Sequence, residues 1–268
     1  VHEERDHEVG RRPVLDAVRF AFGTLSVLPV RVRRWDRDAA RGGMTAAPLV
    51  GLVVGAFAAG CAGLLLALGA SRLLAGVAAA AAPAVLTRAL HLDGLADTAD
   101  GLGSGKPAEE ALRIMKRSDI GPFGVVTLLF VLLAQVASAA ACYAHGWVYG
   151  ATSVVLAAAT GRTALTLACR AGVPAARPDG LGAVVAGAVP RGVAYATAAV
   201  AVGLAAACGV PFGGLTPLRT ATATAAALLA SESLLHHTRT RLAGVTGDTF
   251  GALAETATTV TLLTLSLR

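Results

Sequence analysis

Three stretches of the chain, Gly42 to Ser71, Ile120 to Gly161 and Gly192 to Leu218, contain no Asp, Glu, Lys or Arg. A helix crossing a bilayer needs about 20 mostly apolar residues, and each stretch is long enough. Leu73 to Thr87, Thr220 to Ala230 and Thr256 to Leu267 are shorter charge-free runs that become spans when a flanking polar residue sits at the interface. The pattern predicts an all-α, polytopic integral membrane helix bundle of about seven transmembrane helices. Their expected positions are 48–70, 72–90, 122–143, 147–169, 192–210, 217–235 and 249–266. Val14 to Val30 is apolar but interrupted by Asp16 and Arg19, so an interfacial or re-entrant helix is expected there. Residues 1–47 then form a cytoplasmic or interfacial N-terminal segment of a single membrane-embedded domain, 1–268. No cleavable signal is expected in the charged Val1 to Arg12.

Composition agrees: 55% of the 268 residues are hydrophobic and 15% charged, where soluble domains carry about 25% charged residues. Disorder and disulfide scaffolds are excluded on the same ground. On the seven-helix reading every Lys and Arg except Arg72, Arg219 and Arg268 falls on the side of the N-terminus. Cytoplasmic loops carry the excess of bases, so an inside N-terminus, an outside C-terminus and an inner-membrane location are expected. The net charge of +6 reflects this bias and an anionic leaflet. With 4% aromatic residues the chain lacks the stacking groups of a single-strand binder, and no nucleic-acid partner is expected. Cys61, Cys142, Cys169 and Cys208 stand singly in apolar segments and are expected to be free. Ala- and Gly-rich runs such as Ala78 to Ala82 point to close helix packing.

Chemistry enters with the acids. Six of 17 lie between residues 93 and 119, and the core reads His91-Leu-Asp93-Gly-Leu-Ala-Asp97-Thr-Ala-Asp100-Gly101. On a helix, positions i, i+4 and i+7 lie within about 60° of one another, so the three Asp share a face. No Lys or Arg relieves them from His91 to Gly105. Three carboxylates on one stripe repel unless a cation lies between them. All-oxygen donors suit Mg²⁺ or Mn²⁺, which leave positions open for phosphate oxygens. Gly101, Gly103 and Gly105 are expected to let backbone approach a ligand, with Lys116 and Arg117 supplying positive charge beyond. The run Gly101 to Lys106 is not a P-loop, because its glycine spacing and the residue after Lys106 are wrong.

Asp248 and Glu255, seven residues apart, form a second acidic pair on one helical face. Asp248 has two readings, ligand or N-terminal cap. Glu232 is open to pairing with Arg239 or Arg241. His91 is either a helix-end hydrogen-bonding group or a ligand, and His236 and His237 are expected at the interface. Arg162 and Arg177, with Asp179-Gly-Leu-Gly182, form a basic cluster suited to phosphate, or simply the positive inner side.

The motifs His91 to Gly101, Ile114-Met-Lys-Arg-Ser-Asp-Ile-Gly-Pro-Phe-Gly124, Asp179 to Gly182 and Thr246-Gly-Asp-Thr-Phe-Gly-Ala252 together resemble the cobalamin synthase family, the adenosylcobinamide-GDP ribazoletransferases. Leu28-Pro29, Arg33-Arg34-Trp35 and Pro48-Leu-Val-Gly51 extend the resemblance over essentially the whole chain. It implies a Mg²⁺-dependent membrane enzyme that joins adenosylcobinamide-GDP to α-ribazole or its 5′-phosphate and releases GMP. The products are adenosylcobalamin or its 5′-phosphate. Asp93, Asp97, Asp100 and Asp248 are the expected metal ligands. Asp100, Asp248 and Glu255 are candidates for taking the hydroxyl proton, and the sequence does not choose among them. His91, Lys116, Arg117, Ser118, Arg162, Arg177, Asp179 and Thr246 are the expected substrate-binding residues.

One departure from the family pattern is that Arg117 and Asp119 stand in exchanged order. Homo-oligomers and association with other cobalamin-assembly enzymes are among the expected partners. Two rivals differ in pattern. A CDP-alcohol phosphotransferase needs Ala-Arg after its first Asp-Gly, where this chain has Ala96-Asp97. A cation transporter needs acids near the bilayer midplane.

Overall fold

Long apolar runs satisfy their backbone hydrogen bonds internally only as helices, and the computed structural model, which describes residues 13–267, is built from them. The first half contains α1 (Pro13–Leu25), α2 (Arg37–Ala67), α3 (Arg72–Leu86), α4 (Leu90–Gly103), α5 (Ala108–Ile114) and α6 (Pro122–Ala144). The second contains α7 (Trp147–Ala168), α8 (Gly180–Val185), α9 (Arg191–Gly209), α10 (Thr216–Leu242) and α11 (Gly247–Ser266). No strand forms among the described residues, only isolated bridges joining Arg170 to Val189 and Ala175 to Val245. The expectation about Val1 to Arg12 lies outside the described residues.

Small residues set the helix spacing. Gly51 and Gly55 lie one turn apart on α2, and a Cβ on either would fall within 3 Å of α7, against Ala158 and its neighbours. Gly76 of α3 meets the carbonyl of Val136 in α6 in the same way. This is the small-residue contact by which helices associate in lipid. The outward faces of α2 and α6 carry Leu49, Phe57, Leu64, Val126, Phe130 and Leu133, all exposed. Such faces need a lipid covering.

Four helices, α2, α6, α7 and α9 with its 3₁₀ extension to Phe212, are long and apolar enough to cross a membrane. A fifth span counts if α3 and α4 are taken as one broken element. The expected spans at 217–235 and 249–266 do not meet that standard. α10 extends to Leu242 and carries Arg219, Glu232, Arg239 and Arg241. α11 is enclosed by α10, α4, α7 and α6. With protein around it, α11 tolerates threonines: Thr259, Thr261 and Thr264 donate to carbonyls four residues back.

Two further boundaries depart from expectation. α2 begins at Arg37, so the N-terminal segment ends well short of residue 47, and α1 packs on α2 with Phe20 against Gly43. The expected 72–90 helix stops at Leu86. Arg88 and Ala89 adopt left-handed conformations, φ 51° and 57°, and α4 leaves at 91° to α3. At 14 residues α4 is about 21 Å long, too short to cross a hydrocarbon core of about 30 Å. The Asp stripe lies where α4 meets the first turns of α6 and α11, at an end of the bundle.

Candidate active site

α4 and α11 meet on glycine. A Cβ at Gly94 would stand 2.5 Å from the carbonyl oxygen of Asp248, and one at Gly251 would stand 2.7 Å from that of His91. The two acidic stretches, about 150 residues apart in sequence, thus meet at Gly94 and Asp248. Gly94→Ala is expected to push α4 off α11, at a cost of about 1–3 kcal/mol. Turnover should fall about tenfold or more through misplacement of the carboxylates. Thermal unfolding and turnover of the variant in detergent check this.

Three cavities border α4, one of them shared with α11. His91, Asp93 and Asp248 line one of 110 Å³. Asp93, Asp97, Arg117, Ser118 and Asp119 line a second, of 400 Å³, between α4 and α6. A third, of 200 Å³, is walled by Asp97, Asp100, Arg117 and Asp119. Arg117 and Asp119 face the same two cavities, so exchanging their order leaves one base and one acid at the site.

Burial, then the charges of Asp93, Asp248 and Asp100, push Asp97 up to about 7, against the opposing pull of Arg177. Arg177 reaches the site from the loop before α8. Its guanidinium lies 3.5 Å from Asp248 Oδ2 and donates to the carbonyl of Leu112 in α5.

The cap of α11 belongs to Thr246, not Asp248. Thr246 accepts from the Thr249 amide, and the Thr249 hydroxyl accepts from the Thr246 amide. Thr246, expected at substrate, is buried in this box and also donates to Asp248 Oδ2 at 3.3 Å. Asp248 Oδ1 accepts no hydrogen bond from the described residues.

Other expected residues are engaged elsewhere. Asp100, 7% exposed, accepts from the amides of Gly121 and Gly124 at 2.7 and 2.9 Å, holding the first turn of α6. A Cβ at either glycine would collide with that carboxylate, which explains the Gly-Pro-Phe-Gly turn. Gly101 and Gly103 make room for Met115 and Phe123 rather than for a ligand, and only Gly105 has open space around it. Lys116 and Asp179 pair with each other at 3.0 Å on the surface, which lowers the Asp179 pKa.

Arg162 is not in a basic loop. It lies inside α7, 1% exposed, with Nη2 3.4 Å from His91 Nδ1. Arg162 and Glu255 line a separate 30 Å³ cavity with Gln135, whose amide donates to Glu255 at 2.7 Å. Glu232 pairs with Arg170, which donates to both its carboxylate oxygens, instead of with Arg239 or Arg241. Arg170 and Gln135 were missed in the sequence because both partners lie far away along the chain.

Among the described residues no three acidic, His or Cys side chains are gathered closely enough to hold a metal ion as placed. The donor chemistry nevertheless fits a hard divalent cation. Asp93, Asp97 and Asp248 offer only oxygens, and their mutual repulsion shows in the raised Asp97.

Apolar helices of spanning length and cavities walled by carboxylates and guanidinium groups define a helical membrane protein with a polar site at an end of its bundle. The family model described as cobalamin-5-phosphate synthase matches residues 17–266, and the chain belongs to that family. Its relatives include the adenosylcobinamide-GDP ribazoletransferase of Frankia casuarinae, 41% identical over 93% of this chain and 94% of the relative. Those of Nocardioides sp. and Corynebacterium efficiens, with the same name, are 38% and 37% identical. They cover 94% and 88% of this chain and 99% and 86% of their own lengths. No solved structure matches.

Proposed function

We propose that the protein is an adenosylcobinamide-GDP ribazoletransferase of late cobalamin biosynthesis, acting on α-ribazole or its 5′-phosphate. The observation that carries this is the packing of α4 on α11, which brings Asp93 and Asp248 to one cavity with Arg177 against Asp248, in a chain of this family. In this reading the 3′-hydroxyl of the ribazole attacks the phosphorus next to the aminopropanol arm of the corrinoid. The phosphoanhydride bond breaks and GMP leaves.

Asp93, Asp97 and Asp248 would hold Mg²⁺, which when bound neutralises phosphate charge and offsets the charge developing on the leaving group. Arg177 and Arg117 supply fixed positive charge to the phosphates. Of the three carboxylates considered for the hydroxyl proton, Asp100 caps α6 and Glu255 faces Gln135, which leaves Asp248, whose Oδ1 accepts no hydrogen bond from the described residues. Seven spans, counting α10, α11 and α3 extended by the bend after Leu86, with the N-terminus and site on the cytoplasmic side of the inner membrane, follow from the distribution of bases. A homo-oligomer belongs to the same proposal.

Membranes carrying the protein should release GMP when given adenosylcobinamide-GDP, α-ribazole and Mg²⁺. Metal-dependent ion uptake into vesicles without GMP release would contradict the assignment. A pH dependence also follows. With Asp97 held near 7 in the cation-free protein, a cation must displace its proton at lower pH. Mn²⁺ affinity should fall about tenfold per unit below pH 7 and level off above it. Titrations from pH 5.5 to 8.5 test this, and a flat profile would contradict it.

A further inference from the structure

The 400 Å³ cavity between α4 and α6 has two unlike sides. From α4 and the loop before α6 come Asp93, Asp97, Arg117, Ser118 and Asp119; the α6 side is Leu128 and Leu132, which present only hydrocarbon. Leu128 and Leu132 lie in the interior of α6, where the backbone amides are already bonded within the helix. That side offers a ligand no hydrogen bond from main chain or side chain. Its volume falls within the range of small-molecule sites, about 300–1,000 Å³.

Three groups of the proposed substrates could occupy it. A corrinoid bearing an adenosyl group is far too large. Guanine carries donors and acceptors around its edge, and each left unpaired against leucine costs about 1–3 kcal/mol. The dimethylbenzimidazole of α-ribazole is planar, and the edge remote from the sugar carries only methyl groups.

We propose, on the basis of the ribazoletransferase reading, that this cavity is the acceptor subsite. The methylated edge of the base lies against Leu128 and Leu132, and the ribose is turned toward Ser118 and the carboxylates. Leu128 and Leu132 are then specificity-determining residues that select an alkylated apolar base. The placement brings the attacking hydroxyl to the Asp93 and Asp97 end of the cavity without a charged residue of α6.

The test measures GMP release while each substrate is varied in turn, for the wild type, Leu132→Trp, Leu132→Ala and Leu128→Ala. Leu132→Trp fills the cavity and should raise KM for α-ribazole at least tenfold, with KM for adenosylcobinamide-GDP unchanged within about twofold. The wild type should prefer α-ribazole over the unmethylated benzimidazole riboside by about tenfold in kcat/KM. Each alanine variant should reduce that preference to about threefold or less. A variant that merely folds poorly lowers the active fraction and leaves the preference and both KM values intact.

Unchanged preference in both alanine variants, or equal shifts in the two KM values with Leu132→Trp, would overturn the subsite and leave the function standing. A wild type that releases no GMP would overturn the function and the subsite with it.

Discussion

Asp97→Asn is expected to lower GMP release at least a thousandfold while the protein still inserts in membranes and unfolds at nearly the wild-type temperature. Asp97, like Asp119, borders both the α4–α6 cavity and the cavity at Arg117 and Asp119, and its neighbours Asp93, Asp248 and Asp100 all act on it. Removing its charge takes away a proposed cation ligand at the point where transition-state charge must be offset. It also relieves repulsion among the carboxylates, so folding should not suffer. The unfolding measurement is therefore as informative as the assay. A variant with near-normal turnover, or one that fails because it no longer folds, would contradict the role given to Asp97.

The second large effect concerns stability. Arg162, 1% exposed within α7, sits between His91 and the cavity that it shares with Glu255 and Gln135. Its Nε has no hydrogen-bond partner among the described residues, nor does His91 Nε2. That cavity, 30 Å³, has room for a water molecule. Arg162→Met would leave the Glu255 carboxylate buried without a compensating charge, at a cost of about 3–5 kcal/mol. Adding Glu255→Gln should restore much of that loss, since a neutral amide needs no counter-charge. Chemical unfolding of the single and double variants in detergent checks the coupling. Additive losses would show that Arg162 and Glu255 do not compensate one another.

How far the sequence foretold this arrangement depends on the length scale of each signal. α6, α7 and α9 could be placed because a charge-free run of spanning length has few other uses. The helical stripe of Asp93 and Asp97 was legible from its spacing, as was the place of Asp248 at the start of its helix. The bend after α3 was not, since the left-handed residues there are Arg88 and Ala89 rather than glycine, the usual sign of such a turn. α10 and α11 fall short of the spanning standard for another reason: a helix enclosed by other helices need not be as apolar as one facing lipid.

The roles of individual charged residues were least legible, because they depend on distant partners. Asp100 completes the pattern of the stripe, yet its carboxylate is engaged by Gly121 and Gly124. Arg162 counted as one more base on the positive side and proved to be buried in α7. Glu232 found Arg170, 62 residues away, rather than the nearby bases of its own helix. The meeting of α4 with α11 was expected from the chemistry, but the device that permits it, Gly94 against Asp248 and Gly251 against His91, carries no mark in a glycine-rich chain.

The most direct measurement is a Mn²⁺ titration of the purified protein in nanodiscs, followed by the paramagnetic signal of the free ion, for Asp93→Asn, Asp97→Asn, Asp248→Asn and Glu255→Gln. Carboxylates of α4 and α11 that surround one ion predict a single site in the wild type. It should weaken about a hundredfold in the two α4 variants, at least tenfold in Asp248→Asn, and hardly at all in Glu255→Gln. Full affinity in Asp248→Asn, or in either α4 variant, would mean that the two helices touch without sharing a cation.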